Sequence, residues 1–246
     1  MYTTRGAFHG VLGVFMDKVR IQSAARDLHR EVWSRRQNIW PMGLPPEVAM
    51  LDPKVAIEVL GLEYELRDSL GGDGSRAIGA AAAGFLDGRR GIVVISTDFK
   101  YEVQRFTGAH EAAHIVMHPW VGDRVLHRDL PVYGASGGRR SEHDQEADYF
   151  AACYLMPRKL VEKEFSARFG SKIPLTLTEA TLFSMRVSDA DTRTAFAAPH
   201  GSLLFPRLVA TAQVCDSRRF ASLAGRFGVS PSAMAIRLQE LGLTED

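Results

Sequence analysis

The strongest chemical signal in the sequence is the pentad His110-Glu111-Ala112-Ala113-His114. Residues four apart lie on one face of a helix, so the two imidazoles could hold one metal ion together. A zinc ion lowers the pKa of a water that it binds towards ~7. Glu111 could accept the proton of that water, so the pentad predicts metal-assisted hydrolysis at a peptide carbonyl.

A catalytic zinc site needs a third protein ligand and keeps one open position. The segment that begins at Ser141 is rich in carboxylates. At about 100° per residue, Asp144 and Asp148 share one helix face with alanines, and Glu142 and Glu146 lie on the opposite face. We therefore predict that Asp144 is the third ligand and that Asp148 holds a ligand imidazole by its other nitrogen. Glu142 and Glu146 remain alternatives.

Several residues near these motifs also have simpler explanations. Ser141 and Asp144 fit a variant of the capping box, in which Asp144 only satisfies the helix start. His118 and His143 add nitrogens nearby, but such histidines are more often structural or solvent-facing than ligands. Cys153 lies about 180° around the helix from Asp144. It is better explained as a small buried apolar residue than as a nucleophile.

Two helices must position these side chains. The sequence predicts one helix over 102–118, which Pro119 ends, and a second helix over 141–156. Small alanine side chains on both should let the two helices approach closely. The stretch 120–140 between them is rich in Gly, Pro and charge, and we predict it to be a long connection.

The segment before the pentad indicates β-structure. Apolar or alternating stretches occupy 62–68, 77–86 and 91–96, and Asp87-Gly88 between the last two is a hairpin signal. The predicted fold class is α+β, with a small antiparallel sheet packed against the pentad helix and the second helix. Further helices are expected at both ends, one of them over 16–38.

Composition is that of an ordinary globular protein. The chain has 246 residues, of which 46% are hydrophobic, and a net charge of +1. This balance does not favour a wholesale nucleic-acid or membrane partner. Two cysteines make no disulfide framework, and the apolar patch at 11–16 is too short to span a bilayer. We therefore expect a cytoplasmic protein without a signal peptide.

Longer motifs around the pentad resemble the ImmA/IrrE metallopeptidases. The matching residues are Phe106-Thr107-x-Ala109-His110-Glu111-x-x-His114-x-x-x-His118, Glu146-Ala147-Asp148-x-Phe150-Ala151 with Leu155-Met156-Pro157, and a tail over 219–243. The resemblance implies a zinc peptidase with a gluzincin-like core. Members typically cleave helix-turn-helix repressors or anti-repressors, often in mobile elements and stress responses.

The sequence departs from the family pattern in three places. Asp144 stands where the family usually has glutamate, and its side chain is one methylene shorter. Gly108 and Ala112 replace bulkier apolar residues, which should soften the packing of the pentad helix. The segment over 157–218 is longer than in a minimal member.

We divide the chain into four predicted segments. These are an N-terminal helical segment (1–50), a zinc metallopeptidase core (51–165), a variable segment without an assigned role (166–216), and a C-terminal helix pair (217–246).

The expected mechanism uses Zn²⁺, with Mn²⁺ as an alternative, held by His110, His114 and Asp144. Glu111 is the expected general base, and it later passes the proton to the leaving amine. A substrate strand could pair with an edge of the 62–96 sheet. The residues that could stabilise the transition state are Tyr133, His143 and His127.

Two other functions remain open. The aspartate at 144 makes a catalytically weak, regulatory zinc-fold binding protein a credible alternative. The tail also has helix-turn-helix character, which suggests DNA binding through 217–243. However, residues 216–246 contain four arginines and four acids. A DNA-reading helix normally carries a basic surface, so we expect a structural helix pair or a partner-docking surface instead.

Overall fold

The computed structural model describes residues 16–68, 70, 82–118, 125–129, 141–171 and 173–246, with the backbone alone at 82 and 125–129. Helices surround one four-stranded sheet and two small two-stranded sheets, which confirms the predicted α+β class. None of the helices in these described parts combines the length and apolar character needed to cross a membrane.

The first half of the described chain contains all four strands of the main sheet and the two helices that carry the motifs. Its elements are α1 (Lys18–Ser34), α2 (Arg36–Ile39), the 3₁₀ helix η1 (Glu47–Leu51), α3 (Pro53–Val59), β1 (Glu63–Arg67), β2 (Ala82–Asp87), β3 (Ile92–Ser96), α4 (Tyr101–Met117), β4 (Val125–Asp129) and α5 (Glu142–Leu155). The pentad helix and the second helix therefore begin and end within one residue of their predicted bounds.

The second half is largely helical. Its elements are α6 (Arg158–Phe169), β5 (Leu175–Thr176), α7 (Glu179–Ser184), α8 (Asp189–Ala197), α9 (Leu204–Thr211), β6 (Val214–Cys215), β7 (Arg218–Arg219), α10 (Leu223–Phe227), α11 (Pro231–Glu240) and β8 (Thr244–Glu245). The variable segment, in which secondary-structure signals are weak, contains mainly the three short helices α7, α8 and α9.

The main sheet has the order β1-β3-β2-β4, and it corrects two predictions. The sheet is mixed rather than antiparallel, because β1 runs parallel to β3 with Glu63 opposite Ile92. Every residue of β3 is buried, so this strand takes an interior position with a neighbour on each side. The stretch 120–140, predicted as a long connection, contains β4, which pairs antiparallel with β2.

Two glycines allow α4 to pack closely on its neighbours. A Cβ atom at Gly84 of β2 would lie 2.7 Å from Thr107 Cγ2, and one at Gly108 of α4 would lie 2.9 Å from Pro53 Cβ. Real Cβ atoms do not approach other heavy atoms so closely. The family departure at Gly108 therefore does not soften the packing as we expected, because its missing side chain makes room for α3.

We expect Gly108→Leu to lower the free energy of unfolding by about 2 kcal/mol or more. The new side chain must displace the rigid ring of Pro53, and overpacking of a filled core typically costs about 1–3 kcal/mol. Denaturant unfolding followed by circular dichroism measures the loss. Glu102→Leu, at a partly exposed position of the same helix, is the control. Equal stability of the two variants would contradict this account of Gly108.

The N-terminal helix α1 packs against α5, α3 and α4. Its inward face consists of apolar residues spaced three, four and seven apart, as in an amphipathic helix: Ile21, Ala25, Leu28 and Val32. Polar contacts tie it to α5, since Gln22 donates a 2.8 Å hydrogen bond to the hydroxyl of Tyr149. These contacts bring α1 directly alongside the helix that carries the acidic segment.

The C-terminal helix pair forms as predicted. Ser230 caps α11 by accepting a hydrogen bond from the Ala233 N–H, Pro231 occupies the first turn, and Gly242 follows with a φ of 67°. Arg237 of α11 is only 4% exposed. One of the four arginines in this segment is therefore inside the protein.

Candidate metal centre

The two pentad histidines converge on one point. His110 and His114 lie on the same face of α4, are 2% and 4% exposed, and bring their Nε2 atoms to 3.1 Å from each other. Ligand atoms that share a tetrahedral zinc ion lie about 3.3–3.5 Å apart, given metal–ligand distances of about 2.0–2.2 Å. The two imidazoles therefore fit one metal ion.

Asp144, in the first turn of α5, completes the cluster. Its Oδ1 lies 3.6 Å from His114 Nε2 and 4.0 Å from His110 Nε2. Among the described residues, these three side chains form the group whose donor atoms are close enough to hold a metal ion. Asp144 is about one third exposed, so the cluster is open to solvent on the carboxylate side.

The alternative explanation of Asp144 as a helix cap involves a different part of the residue. Ser141 Oγ accepts a 3.1 Å hydrogen bond from the backbone N–H of Asp144. This bond caps α5 and leaves the Asp144 carboxylate directed at the histidines. The neighbouring His114 ring, together with Ser141 and the nearby His110, holds the pKa of Asp144 well below its usual range. The carboxylate is therefore ionised and able to bind a cation.

Asp148, one turn further along α5, contacts the other side of His110. Its Oδ1 lies 2.9 Å from His110 Nδ1. An ionised carboxylate only accepts hydrogen bonds, so Nδ1 carries the proton and Nε2 of the neutral ring presents a lone pair to the cluster. Asp148 therefore lies where it can hold the His110 imidazole in this orientation.

Glu111 lies between the two histidines on α4 and is 1% exposed. It is in the buried half of the site with His110 and His114, whereas Asp144 is on the open side. Its neighbours Ala109, Ala112 and Ala113 are fully buried against the rest of the core, and these small side chains let α4 and α5 pack closely.

The two alternative third ligands have other surroundings. Glu146 Oε2 lies 2.9 Å from His118 Nε2, and its Oε1 lies 2.7 Å from Arg20 Nη2. Although burial opposes it, the hydrogen bonds from His118 and Arg20 lower the pKa of Glu146. Glu142 is exposed and does not belong to the cluster of possible metal ligands in the described chain.

The contacts of His118 go beyond what the sequence predicted. We expected a structural or solvent-facing histidine, and His118 is 3% exposed, with its Nδ1 3.3 Å from His114 Nδ1. Burial lowers the pKa of His118, which favours its neutral form. The available signal was the four-residue spacing from His114, which puts both rings on one helix face.

The remaining predicted site residues are at the rim or outside the described parts. The His143 ring packs edge-on against the His118 ring, with 4.4 Å between centroids. These two histidines border a cleft of about 330 Å³ that also reaches Arg20, Glu142 and Glu146. Tyr133 lies outside the described residues, and for His127 the structure describes only the backbone, in β4.

Comparison with known proteins gives one match to a protein family. Residues 73–185 match the family model of a peptidase group, described as the IrrE N-terminal-like domain. The matched range contains the pentad, Asp144 and Asp148. It confirms the family resemblance predicted from the motifs. No curated protein matches the chain.

Proposed function

We propose that the chain is a zinc-dependent endopeptidase, because residues 73–185 match the family model of the IrrE N-terminal-like peptidase domain. The observation that carries the proposal is the convergence of two imidazole nitrogens and one carboxylate oxygen inside that domain. These atoms belong to His110, His114 and Asp144. Three protein donors with an open side are what a catalytic zinc site requires, whereas structural zinc sites have four.

We propose zinc as the working ion because mixed nitrogen and oxygen donors at these spacings suit it. Manganese is the alternative, since first-row divalent ions interchange in such sites. When bound, the ion would supply Lewis acidity to a scissile carbonyl and to a water. His110, His114 and Asp144 would hold it, and Asp148 would orient His110 through the Nδ1–H hydrogen bond.

Glu111 is the proposed proton carrier. Its carboxylate would accept a proton from the attacking water and then donate it to the nitrogen of the leaving amine. The buried position of Glu111 strengthens its electrostatic interactions, because little water is present to screen them. A transition-state stabiliser remains a proposal at Tyr133, His143 or His127.

The proposed substrate is a helix-turn-helix repressor or anti-repressor in the cytoplasm. The peptidase family supports a protein substrate, and the resemblance to ImmA/IrrE proteins supports this particular class. An extended substrate segment could add to an edge of the main sheet. The edges in the described residues are β1 and β4, because β3 and β2 are interior strands.

The test compares wild-type protein with Asp144→Ala and a matched Glu142→Ala variant, both changed in the first turn of α5. We expect near-stoichiometric zinc by mass spectrometry in wild type and Glu142→Ala, and a zinc content below half of that in Asp144→Ala. With a purified helix-turn-helix repressor as the candidate substrate, cleavage should occur with zinc, stop with a chelator, and return when zinc is added back.

Each contrary outcome has a defined meaning. Zinc lost from Glu142→Ala but kept in Asp144→Ala would transfer the ligand role to Glu142. Zinc and repressor binding without cleavage would favour the regulatory binding protein. No zinc, even after zinc is added, would contradict the proposed metal centre altogether.

A further inference from the structure

A chain of three polar contacts leads from His114 out to helix α1. His114 Nδ1 lies 3.3 Å from His118 Nδ1, and His118 Nε2 lies 2.9 Å from Glu146 Oε2. The other oxygen of Glu146 lies 2.7 Å from Arg20 Nη2. The chain therefore connects the back of one metal-facing imidazole to a residue 94 positions earlier in the sequence.

The donors and acceptors along this chain can be assigned in order. The Glu146 carboxylate only accepts, so His118 Nε2–H must be the donor between them. In the neutral His118 ring, Nδ1 is then an acceptor, and it can be satisfied by His114 Nδ1–H. His114 Nε2 consequently carries the lone pair that faces His110 and Asp144.

Because both rings are buried, a tautomer that leaves a hydrogen bond unmade costs free energy. His114 and His118 are 4% and 3% exposed, so water cannot substitute for a hydrogen bond that either ring fails to make. The opposite tautomer of His114 would set two acceptor nitrogens against each other at 3.3 Å. It would also place a proton on the Nε2 atom that a metal must reach.

We propose that His118 and Glu146 are positioning residues that hold His114 in its metal-binding tautomer, and that Arg20 of α1 supports them by fixing Glu146. Different carboxylates thus orient the two metal-facing imidazoles. Asp148 orients His110, and Glu146 orients His114 through His118. The proposal rests on the metal centre proposed above, but it does not depend on the protein being a peptidase.

The principal test is zinc affinity, measured by competition with a chromogenic chelator and without any substrate. His118→Leu should weaken zinc binding by about 10- to 100-fold, as changes in the partners of ligand imidazoles do. His118→Asn should recover most of that loss, because its amide oxygen can still accept from His114 Nδ1–H. Glu146→Ala should weaken binding in the same direction.

The link to α1 is tested on the helix itself. Arg20→Ala should weaken zinc binding only about two- to fivefold, since Arg20 is half-exposed and exposed ion pairs contribute little. Arg30→Ala is the matched control, because Arg30 lies on the same helix and its ion pair is with Asp27. Equal zinc affinities of the two variants would remove Arg20 from the chain of contacts.

A second measurement separates positioning from a general loss of structure. Long-range ¹H–¹⁵N spectra of metal-free protein at about pH 8, where free imidazole is neutral, report which ring nitrogen carries the proton. Without metal, His110 Nε2 and the Asp144 carboxylate favour a proton at His114 Nε2, and His118 favours one at Nδ1. The fraction of His114 protonated at Nδ1 should therefore be larger in the wild type than in His118→Leu.

Wild-type zinc affinity together with a wild-type His114 tautomer in His118→Leu would overturn the proposal. If that variant fails to fold, Glu146→Ala provides the same two readouts. If the variants show the predicted zinc affinities but the wild-type protein cuts no repressor, the positioning role would stand and the proposed peptidase function would be rejected.

Discussion

Replacing Glu111 with glutamine should leave the zinc content unchanged and slow repressor cleavage by about 10²- to 10⁴-fold, the usual contribution of a general acid–base group. Glutamine has nearly the same shape, so the packing around this 1% exposed position should survive. Its amide does not accept a proton near neutral pH, so the water and the leaving amine lose their proton carrier. Initial cleavage rates and metal analysis on the same preparation measure both effects.

The appropriate control is Glu102→Gln, at the start of the same helix and partly exposed. It should cleave at the wild-type rate. Wild-type cleavage by Glu111→Gln would end the proposed role of Glu111. Loss of zinc from that variant would instead show that Glu111 helps to position the ligands.

Replacing Arg237 with alanine should lower the free energy of unfolding by about 2–3 kcal/mol. Its side chain donates a 3.0 Å hydrogen bond to the carbonyl of the fully buried Met156 and a 2.8 Å bond to Glu240. Without the guanidinium, the buried Met156 carbonyl loses its side-chain donor, and Glu240 loses one of the cationic side chains that contact it while keeping Tyr149 and Lys18. Urea denaturation measures the change.

Arg193→Ala, at an exposed position of α8, should change the stability by less than about 0.5 kcal/mol. Equal stabilities of the two variants would contradict a structural role for Arg237. The same contacts bear on DNA binding through the C-terminal helix pair, which remains an untested alternative. Any gel-shift experiment should change the exposed Arg219 or Arg226, because loss of retardation in an Arg237 variant could simply reflect unfolding.

Much of the site was predictable because its signals are local. The pentad needs only helical spacing to bring His110 and His114 together, and the same geometry separates Asp144 from Glu146 on α5. The cap at Ser141 and the proline after the pentad helix define the ends of these elements. Side chains that meet within one or two helical turns are therefore the part of the site that sequence alone can place.

The missed features depend on contacts between residues far apart in the chain. The Asp87-Gly88 hairpin signal predicts pairing only between the two strands that it connects. It therefore gives no information on the parallel pairing of β1 with β3. The need for glycine at position 108 arises from Pro53, which lies where a side chain of residue 108 would be. His118 contacts Glu146 of α5, which in turn contacts Arg20 of α1. Periodicity within one element carries no information about such partners.

The unequal exposure of the three candidate ligands indicates the side from which a metal ion would enter and leave the proposed centre. His110 and His114 are almost inaccessible to solvent, whereas about a third of the Asp144 side chain is accessible. An arriving ion would meet the carboxylate first, and a chelator would compete for that side before either imidazole. With Asp144 as the proposed third ligand, an aspartate in place of the glutamate expected from the family resemblance would change the ligand through which the ion exchanges with solution.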